Sequence, residues 1–379
     1  MKNIETSAIL LDLDMLESNL KKFHGAVSGN KKIWPMIKTH KSIEIARMQL
    51  DHGATGFLCG TLDECEAIYE NFVRKEKRNI SIMYAYPVAS EPNISRVVEL
   101  AKNCDFYLRI DSYEQAKLLN KAATEADVCI NYSIIINSGL NRFGIYCYEI
   151  ESLIHGLSSF KHLKFAGIST HPGHAYGETD SAGILQVAQQ ESKIMKEAAE
   201  ILHSMGIKPQ FVSSGSTPTH LHIANDAVID ILHPGNYIFM DNMQISLACA
   251  TEIDCALIVL TTVISNPREG EFIIDAGSKC LGLDKGAHGN RKITGHGRIK
   301  YWHNVLTISS LSEEVGKIVV NEAYRDKVSL SIGDRLEIIP NHACATANNT
   351  SYYIATRNGK YDRAIHVDMR GNSTTKGMC

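Results

Sequence analysis

The residues that could do chemistry begin with Lys38. It closes the apolar run Ile33-Trp34-Pro35-Met36-Ile37, and Thr39-His40-Lys41 and a helical pattern from Ser42 follow it. A lysine amine at a strand end can form a Schiff base with a carbonyl compound when burial or a neighbouring cation keeps part of it neutral. A solvated strand end is the alternative for a lone lysine.

Further groups with chemical potential recur after other apolar runs. Asn137, Asn141 and Arg142 follow Ile130–Ile136, and His171, His174 and Tyr176 follow Phe165–Thr170. Ser213-Ser214-Gly215-Ser216-Thr217 ends the run from Gln210, and Pro234-Gly235-Asn236-Tyr237 ends the run from Val228. Small residues in such loops let backbone N–H groups converge on an anion, and a following helix N-terminus adds its dipole. Ordinary strand-to-helix turns use the same residues.

A different pair lies near the C-terminus, in Pro340-Asn341-His342-Ala343-Cys344 directly after the run Leu336–Ile339. At a strand end, His342 and Cys344 would point their side chains the same way. Imidazole and thiolate suit Zn²⁺, and two protein ligands leave positions for water or substrate, as in a catalytic site. A satisfied histidine beside a buried cysteine is the alternative. His220-x-His222 has the same spacing but falls in a helical pattern, where residues two apart diverge, so it reads as structural.

The elements that must position these groups alternate regularly. Ile33–Ile37, Thr55–Cys59, Ile80–Ala85, Phe106–Ile110, Ile130–Ile136, Phe165–Thr170, Gln210–Ser213 and Val228–Leu232 read as strands, with helical periodicity between them. Eight alternating β and α units imply a parallel (β/α)₈ barrel, whose active sites collect at the C-terminal ends of the strands. A doubly wound open sheet is the competitor. After about Ala250 the character changes: Ala256–Ile264, Glu271–Asp275, Asn304–Ser309, Lys317–Val320 and Arg335–Ile339 read as strands with no helix between them, an antiparallel β domain. The expected division is a barrel over residues 15–250 and a β domain over 251–379, joined by residues 1–14, whose strand Ala8–Leu13 could pair with it.

Bulk properties narrow the class. With 379 residues the chain has room for a large barrel and a smaller domain. A net charge of -3 gives no footprint for nucleic acid or an acidic membrane surface. No apolar run reaches the ~18 residues that span a bilayer. Ten cysteines without a CxxC pair, and no signal-peptide pattern, lead us to expect reduced thiols and a cytoplasmic location.

Taken as an ordered series, the motifs resemble the fold-type III pyridoxal-phosphate enzymes. More narrowly, the chain looks like the metal-activated branch that contains D-serine dehydratase and D-threonine aldolase. The series runs Thr6–Asp14, Lys38-Thr39-His40-Lys41, Asn141-Arg142-Phe143-Gly144, Gly215-Ser216-Thr217-Pro218-Thr219, Pro234-Gly235-Asn236-Tyr237, Asp275-Ala276-Gly277-Ser278-Lys279 and His342-Ala343-Cys344. The resemblance implies an alanine-racemase-like fold in which Lys38 carries pyridoxal 5'-phosphate. It implies that Arg142 lies near the cofactor's phenolic oxygen, and that His171 and Tyr176 line the ring and substrate pocket. Gly215, Ser216, Thr217, Gly235 and Asn236, with Tyr237 beside them, would bind the phosphate. His342 and Cys344 would bind zinc or another divalent metal. It further implies a homodimer acting on a small D-amino acid.

His-x-Cys resembles the dehydratase members, whereas aldolase members tend to His-x-Asp. The expected reaction is therefore D-serine to pyruvate and ammonia, with Lys38 as base. The alternatives are retro-aldol cleavage to glycine and an aldehyde, a racemase, a non-catalytic cofactor carrier and a phosphate-sugar barrel enzyme. Two positions depart from the family pattern: Val315 where a histidine is expected, and His233 where an arginine often precedes the Pro-Gly loop.

Overall fold

The first strand, β1 (Ala8–Asp12), precedes a run of eight short parallel strands: β2 (Lys32–Ile33), β3 (Gly56–Cys59), β4 (Ser81–Tyr84), β5 (Phe106–Ile110), β6 (Ile130–Ile135), β7 (Leu163–Ser169), β8 (Phe211–Ser214) and β9 (Ile231–Leu232). In this computed structural model, which describes residues 3–285 and 292–370, the eight pair in the order β2-β9-β8-β7-β6-β5-β4-β3. A bridge between Met36 and Leu58 brings the last strand back to the first. The backbone bonds Thr55 N to Ile33 O (3.2 Å) and Leu58 N to Pro35 O (3.0 Å) close the ring. This is the (β/α)₈ barrel that the alternation of apolar runs implied.

The expected strand Ile33–Ile37 is shorter than its apolar run. Beyond Ile33, Trp34 N and Met36 N still donate to Leu232 O and Pro234 O, both at 2.9 Å, whereas Pro35, which accepts from Leu58 on the other side, has no N–H to return. Ile37–Thr39 then tightens into a 3₁₀ turn that carries Lys38.

Inside the barrel, Trp34, Met36, Leu58, Met83, Ala85, Ala166, Phe211 and Ile231 are buried together, with Tyr86 and Tyr107 packed against them. Rings of Trp34, Tyr107 and Phe211 meet at 5.4–6.0 Å between centroids. A packed interior of this kind is a plug, not a pore, so chemistry is confined to the strand ends above it. Outside the strands, a larger apolar cluster fills the space beneath the helices, from Ile33 and Phe57 round to Leu202 and Leu232.

The remaining strands are β10 (Leu257–Arg268), β11 (Glu271–Ile274), β12 (Arg298–Ile299), β13 (Leu306–Leu311), β14 (Gly316–Val320), β15 (Arg335–Ile339), β16 (Tyr352–Arg357) and β17 (Lys360–His366). With β1 they form a nine-stranded sheet. β1 pairs antiparallel with β10 through Ala8–Leu260 to Leu11–Leu257 and parallel with β16 through Leu10–Ile354 to Asp12–Thr356. The sheet is thus mixed, not antiparallel as expected, because β1 enters from the other end of the chain. Two short helices, Ser278–Leu281 and Ala343–Asn348, also interrupt a region expected to lack them.

Two compact units divide the chain. One takes the N-terminal residues through Lys22, Tyr176–Ile184 and Asn236–Asp368; the other takes Phe23–Ala175, Leu185–Gly235 and the residues from Met369. Residues 371–379 of the expected β domain lie outside the described residues.

Candidate active site

Lys38 emerges from the 3₁₀ turn at the end of the first barrel strand, half-buried. Its stem lies against Gly60 at the end of β3: a Cβ there would come within 3.0 Å of Lys38 Cβ and 3.5 Å of its Cδ. Glycine at 60 therefore makes room for the lysine. Behind it, Glu64 accepts from Gly60 N at 2.6 Å and pairs with Lys41 Nζ at 2.7 Å, with both charged groups buried. Thr61 caps the helix Leu62–Ile68 that presents Glu64. His40, close to Lys38 in sequence, is fully buried: Nδ1 accepts from Ser42 N at 3.1 Å and Nε2 donates to Gln49 Oε1 at 3.2 Å. Burial drives its pKa down to about 3, so it is a neutral structural group and not part of the mouth.

After β6, Asn137 braces the loop that carries Arg142. Its Oδ1 accepts from Gly139 N (3.0 Å) and Asn141 N (3.1 Å), and its Nδ2 donates to Asn141 Oδ1 at 2.8 Å. Asn141 takes a left-handed backbone, φ 55°, which asparagine tolerates better than most residues. Arg142 lies over the rings of Phe143 (5.0 Å) and Tyr86 (5.8 Å). A cleft between these loops is lined by Arg109, Asn137, Ser138, Arg142, Thr170 and His171, with Phe143 at its edge.

His171 follows β7 and donates from Nδ1 to Gly215 O at 3.1 Å, which leaves the lone pair on Nε2. Burial, then the charge of Lys38, lowers its pKa to about 3, so the ring is neutral. Gly215 has φ +140°, and a Cβ there would meet His233 N at 2.9 Å. Only glycine lets this loop pass so close to the end of β9. Ser216 and Thr217 are buried on the same loop, with Ser216 Oγ 3.1 Å from Thr219 Oγ1. At Gly235 a Cβ would come within 3.2 Å of Thr39 Oγ1, so the Pro-Gly loop abuts the turn that holds Lys38. Within one unit the structure thus brings Lys38, Arg142, His171, Gly215 and Gly235 to one end of the barrel.

Tyr176 lies in the 3₁₀ turn Gly173–Gly177, half-buried. Asn236 and Tyr237 start the turn Asn236–Ile238, and both are buried. Asn236 Nδ2 donates to Asp241 Oδ2 at 2.6 Å. The expected structural pair separates as its helix dictates: His220 is buried, bonded through Nε2 to Phe23 O at 2.9 Å, and His222 is not part of that contact.

Two further groups stand at the mouth: Arg109, which sequence reasoning missed, and His233, which it noted only as a departure from the family pattern. Arg109, on β5, is buried at 4% exposure, and its Nε and Nη2 have no hydrogen-bond partner among the described residues. Burial, with Arg142 nearby, pulls its pKa down to about 10, so it stays charged. His233 is equally buried. Its Nδ1 donates to Trp34 O at 2.8 Å, and its Nε2, an acceptor in that tautomer, has no partner among the described residues. Burial and the Arg109 charge hold it well below the ordinary histidine range. A buried, unopposed guanidinium is costly unless an anion completes it. The visible signal was a single arginine inside the apolar run Phe106–Ile110.

The metal-type pair is not at a strand end. β15 stops at Ile339, His342 is extended (φ -139°), and Cys344 falls in the first turn of the helix Ala343–Asn348. The helix turns Cys344 back onto His342, so the two side chains still interact. Burial opposes a charge on His342, but Cys344, Asp284 and Asp241 outweigh it and hold its pKa well above the ordinary range. His342 Nδ1 lies 2.5 Å from Asp284 Oδ2, an arrangement that orients an imidazole to present its other nitrogen to a metal. Among the described residues no set of three or more His, Cys, Asp or Glu side chains is arranged to hold a metal. Two donors with an oriented imidazole fit an open site, not a closed structural one. Val315, the other departure, sits in the turn between β13 and β14, where its carbonyl accepts from Ser312 N at 2.8 Å.

Comparison with known proteins agrees with this geometry. The model for "Alanine racemase, N-terminal domain" matches residues 11–243, and that for "Putative serine dehydratase domain" matches residues 256–356. The D-serine dehydratase of Dictyostelium discoideum is 30% identical over 94% of this chain and 95% of its own length. The D-threo-3-hydroxyaspartate dehydratase of Delftia sp. strain HT23 is 27% identical over 93% of this chain and 94% of its own. Among solved structures, the D-threonine aldolase of Filomicrobium marinum superposes with a TM-score of 0.86 at 24% identity, covering 98% of this chain and 96% of that one; at that identity it speaks for the fold alone. Fold and matches together define an alanine-racemase-like protein. The chain belongs to the fold-type III pyridoxal-phosphate family, in the branch that joins the racemase-type barrel to a serine dehydratase domain.

Proposed function

We infer that the chain is a pyridoxal-phosphate- and divalent-metal-dependent lyase that dehydrates a β-hydroxy D-amino acid, with D-serine going to pyruvate and ammonia. The observation that carries this reading is Lys38 at the barrel mouth together with the buried Arg109, whose Nε and Nη2 have no hydrogen-bond partner among the described residues; the charges of both act on His171. Such a site lacks an anion and offers an amine, and pyridoxal phosphate is a carbonyl compound rich in negative charge. The full-length match to a D-serine dehydratase supports the choice of substrate.

When bound, the cofactor supplies an electron sink for the bond broken at Cα. A metal on His342 and Cys344 supplies a Lewis acid suited to a hydroxyl leaving group. The protein's own groups do the rest. Lys38 would hold the cofactor through its amine, and the same Nζ would serve as the base for the substrate Cα proton. Arg142 and Arg109, which line one cleft, would donate to an anionic group of the cofactor or to the substrate carboxylate, which guanidinium groups bind strongly. His171 stays neutral and offers Nε2 as an acceptor, with Tyr176 near it in sequence to line the pocket. Backbone N–H groups and hydroxyls of Gly215, Ser216, Thr217, Gly235, Asn236 and Tyr237 receive the phosphate.

The reading extends to a homodimer. It also places the enzyme in the cytoplasm, a choice supported by nine cysteines among the described residues that form no disulfide. No helix among the described residues is long and apolar enough to cross a membrane.

The test is a panel of D-serine, D-threonine and 3-hydroxy-D-aspartate assayed for keto acid, ammonia, aldehyde and glycine. Keto acid and ammonia from D-serine support the reading. Glycine and aldehyde from D-threonine overturn it in favour of the aldolase, and inversion of a single enantiomer without cleavage overturns it in favour of a racemase.

A further inference from the structure

Asp241 touches both halves of the chemistry assigned above. Its carboxyl group is fully buried. Oδ1 caps the helix Asn242–Ser246 by accepting from Gln244 N at 3.0 Å. Oδ2 accepts two further bonds: from Asn236 Nδ2 at 2.6 Å, and from the backbone N–H of Ala343 at 2.9 Å. Asn236 belongs to the Pro-Gly loop, and Ala343 is the residue between His342 and Cys344. Neighbouring bonds reinforce the second link. Asn242 N donates to Pro340 O at 3.0 Å, Met243 N donates to Asn341 O at 3.2 Å, and Asn242 Nδ2 donates to Asn341 Oδ1 at 2.9 Å. A single oxygen therefore stands between the loop expected to grip the cofactor phosphate and the turn expected to grip the metal. Asparagine at 236 is fixed by its donor role: its Oδ1 is buried without a partner among the described residues, so the amide is committed to Asp241 through its nitrogen.

We propose that Asp241 is a positioning residue that couples metal binding at His342 and Cys344 to cofactor binding at the Gly235-Asn236 loop. The inference rests on the function proposed above. A metal on His342 and Cys344 would hold the backbone between them, and with it the Ala343 N–H that donates to Asp241. The carboxylate is then already ordered when the loop must close on phosphate. The second ligand meets less disorder than the first, which gives positive cooperativity without any change of shape. Linkage requires the effect to be mutual and equal.

The experiment measures pyridoxal 5'-phosphate affinity of the full-length protein, by cofactor absorbance, with and without added Zn²⁺. It then measures Co²⁺ affinity, by the visible bands of the bound ion, with and without the cofactor. In the unsubstituted protein each ligand is expected to tighten the other by the same factor, about fivefold or more. Asp241→Asn keeps the size and the helix cap but turns the shared acceptor into a donor facing two N–H groups, so the factor is expected to fall to about one. Asn236→Ser, which cuts one link only, serves if Asp241→Asn fails to fold by circular dichroism. A purely structural Asp241 would lower both affinities and leave the mutual factor unchanged, which overturns the coupling. Independent binding of both ligands to the unsubstituted protein also overturns it while leaving the proposed function intact. A protein that takes up neither ligand overturns both.

Discussion

Lys41 and Glu64 form a buried ion pair, Nζ to Oε1 at 2.7 Å, with side-chain exposures of 8% and 0%. The second carboxylate oxygen accepts from Gly60 N, so one residue fixes the turn that follows Lys38 and the glycine against which Lys38 lies. Removing one partner of such a pair strands a charge in the interior, at a cost of about 3–5 kcal/mol. Glu64→Ala is therefore expected to lower stability by about that amount in urea unfolding. A loss under about 1 kcal/mol would mean that the pair is screened as a surface pair is.

Arg109 has the opposite character. With Nε and Nη2 buried and without partners among the described residues, it costs stability until an anion completes it. Arg109→Met is expected to leave the cofactor-free protein as stable or more stable, and to weaken pyridoxal phosphate binding by about tenfold to a hundredfold, the worth of a hydrogen bond to a charged group. A variant that loses stability and keeps cofactor affinity would show that the guanidinium serves the barrel and not the site.

Buried histidines set the acid limb of stability. Burial holds His40 and His171 near pKa 3, against 6.5 for the ordinary side chain. Between those values the unfolded chain binds more protons than the folded one. Stability is therefore full above about pH 6.5 and falls as pH drops toward 3, each group adding up to about 1.4 kcal/mol per pH unit. Glu191 works in the other direction. Burial raises its carboxyl from 4.5 to about 8, despite the Ser214 hydroxyl bonded to it. Its contribution is full below about pH 4.5 and lost as pH rises through about 8. In thermal melts across pH, Glu191→Gln is expected to remove the alkaline loss and spare the acid one. An unchanged alkaline limb would contradict this assignment.

Cysteine substitutions separate ligand from filler. Cys344 interacts with His342, whereas Cys59 is buried in β3. Cys344→Ala is expected to lower Co²⁺ affinity and turnover by tenfold or more, while Cys59→Ala changes stability modestly and metal affinity not at all. Chelation is expected to abolish turnover with the cofactor still in place. Equal effects of the two substitutions, or full turnover in metal-free protein, would contradict a metal role for His342 and Cys344.

Much of the barrel could be read directly because a parallel strand buried on both faces is a continuous apolar run. Phe106–Ile110 and Arg335–Ile339 coincide with their strands, and the other barrel runs fall within a few residues. What escaped has physical reasons. β17, Lys360–His366, lies at a sheet edge with mostly exposed residues and carries no apolar signal. β12 is two residues long. Cys344 was placed in a strand because His-x-Cys follows an apolar run, yet the chain enters a helix at Ala343. The glycine loops drew attention to Gly215 and Gly235, which the structure brings to the same end of the barrel as Lys38. Arg109 and Asp241 stayed hidden because an isolated charge in a strand, or an acid before a short helix, has commoner explanations.

The central claim is that Lys38 is the residue joined to pyridoxal phosphate, and the most direct test is chemical trapping. Protein equilibrated with the cofactor is reduced with borohydride, digested and analysed by mass spectrometry. The expected result is a single pyridoxyl adduct on Lys38, absent from Lys38→Ala along with the visible Schiff-base absorbance. An adduct on another lysine, or bound cofactor with no adduct at all, would contradict the account.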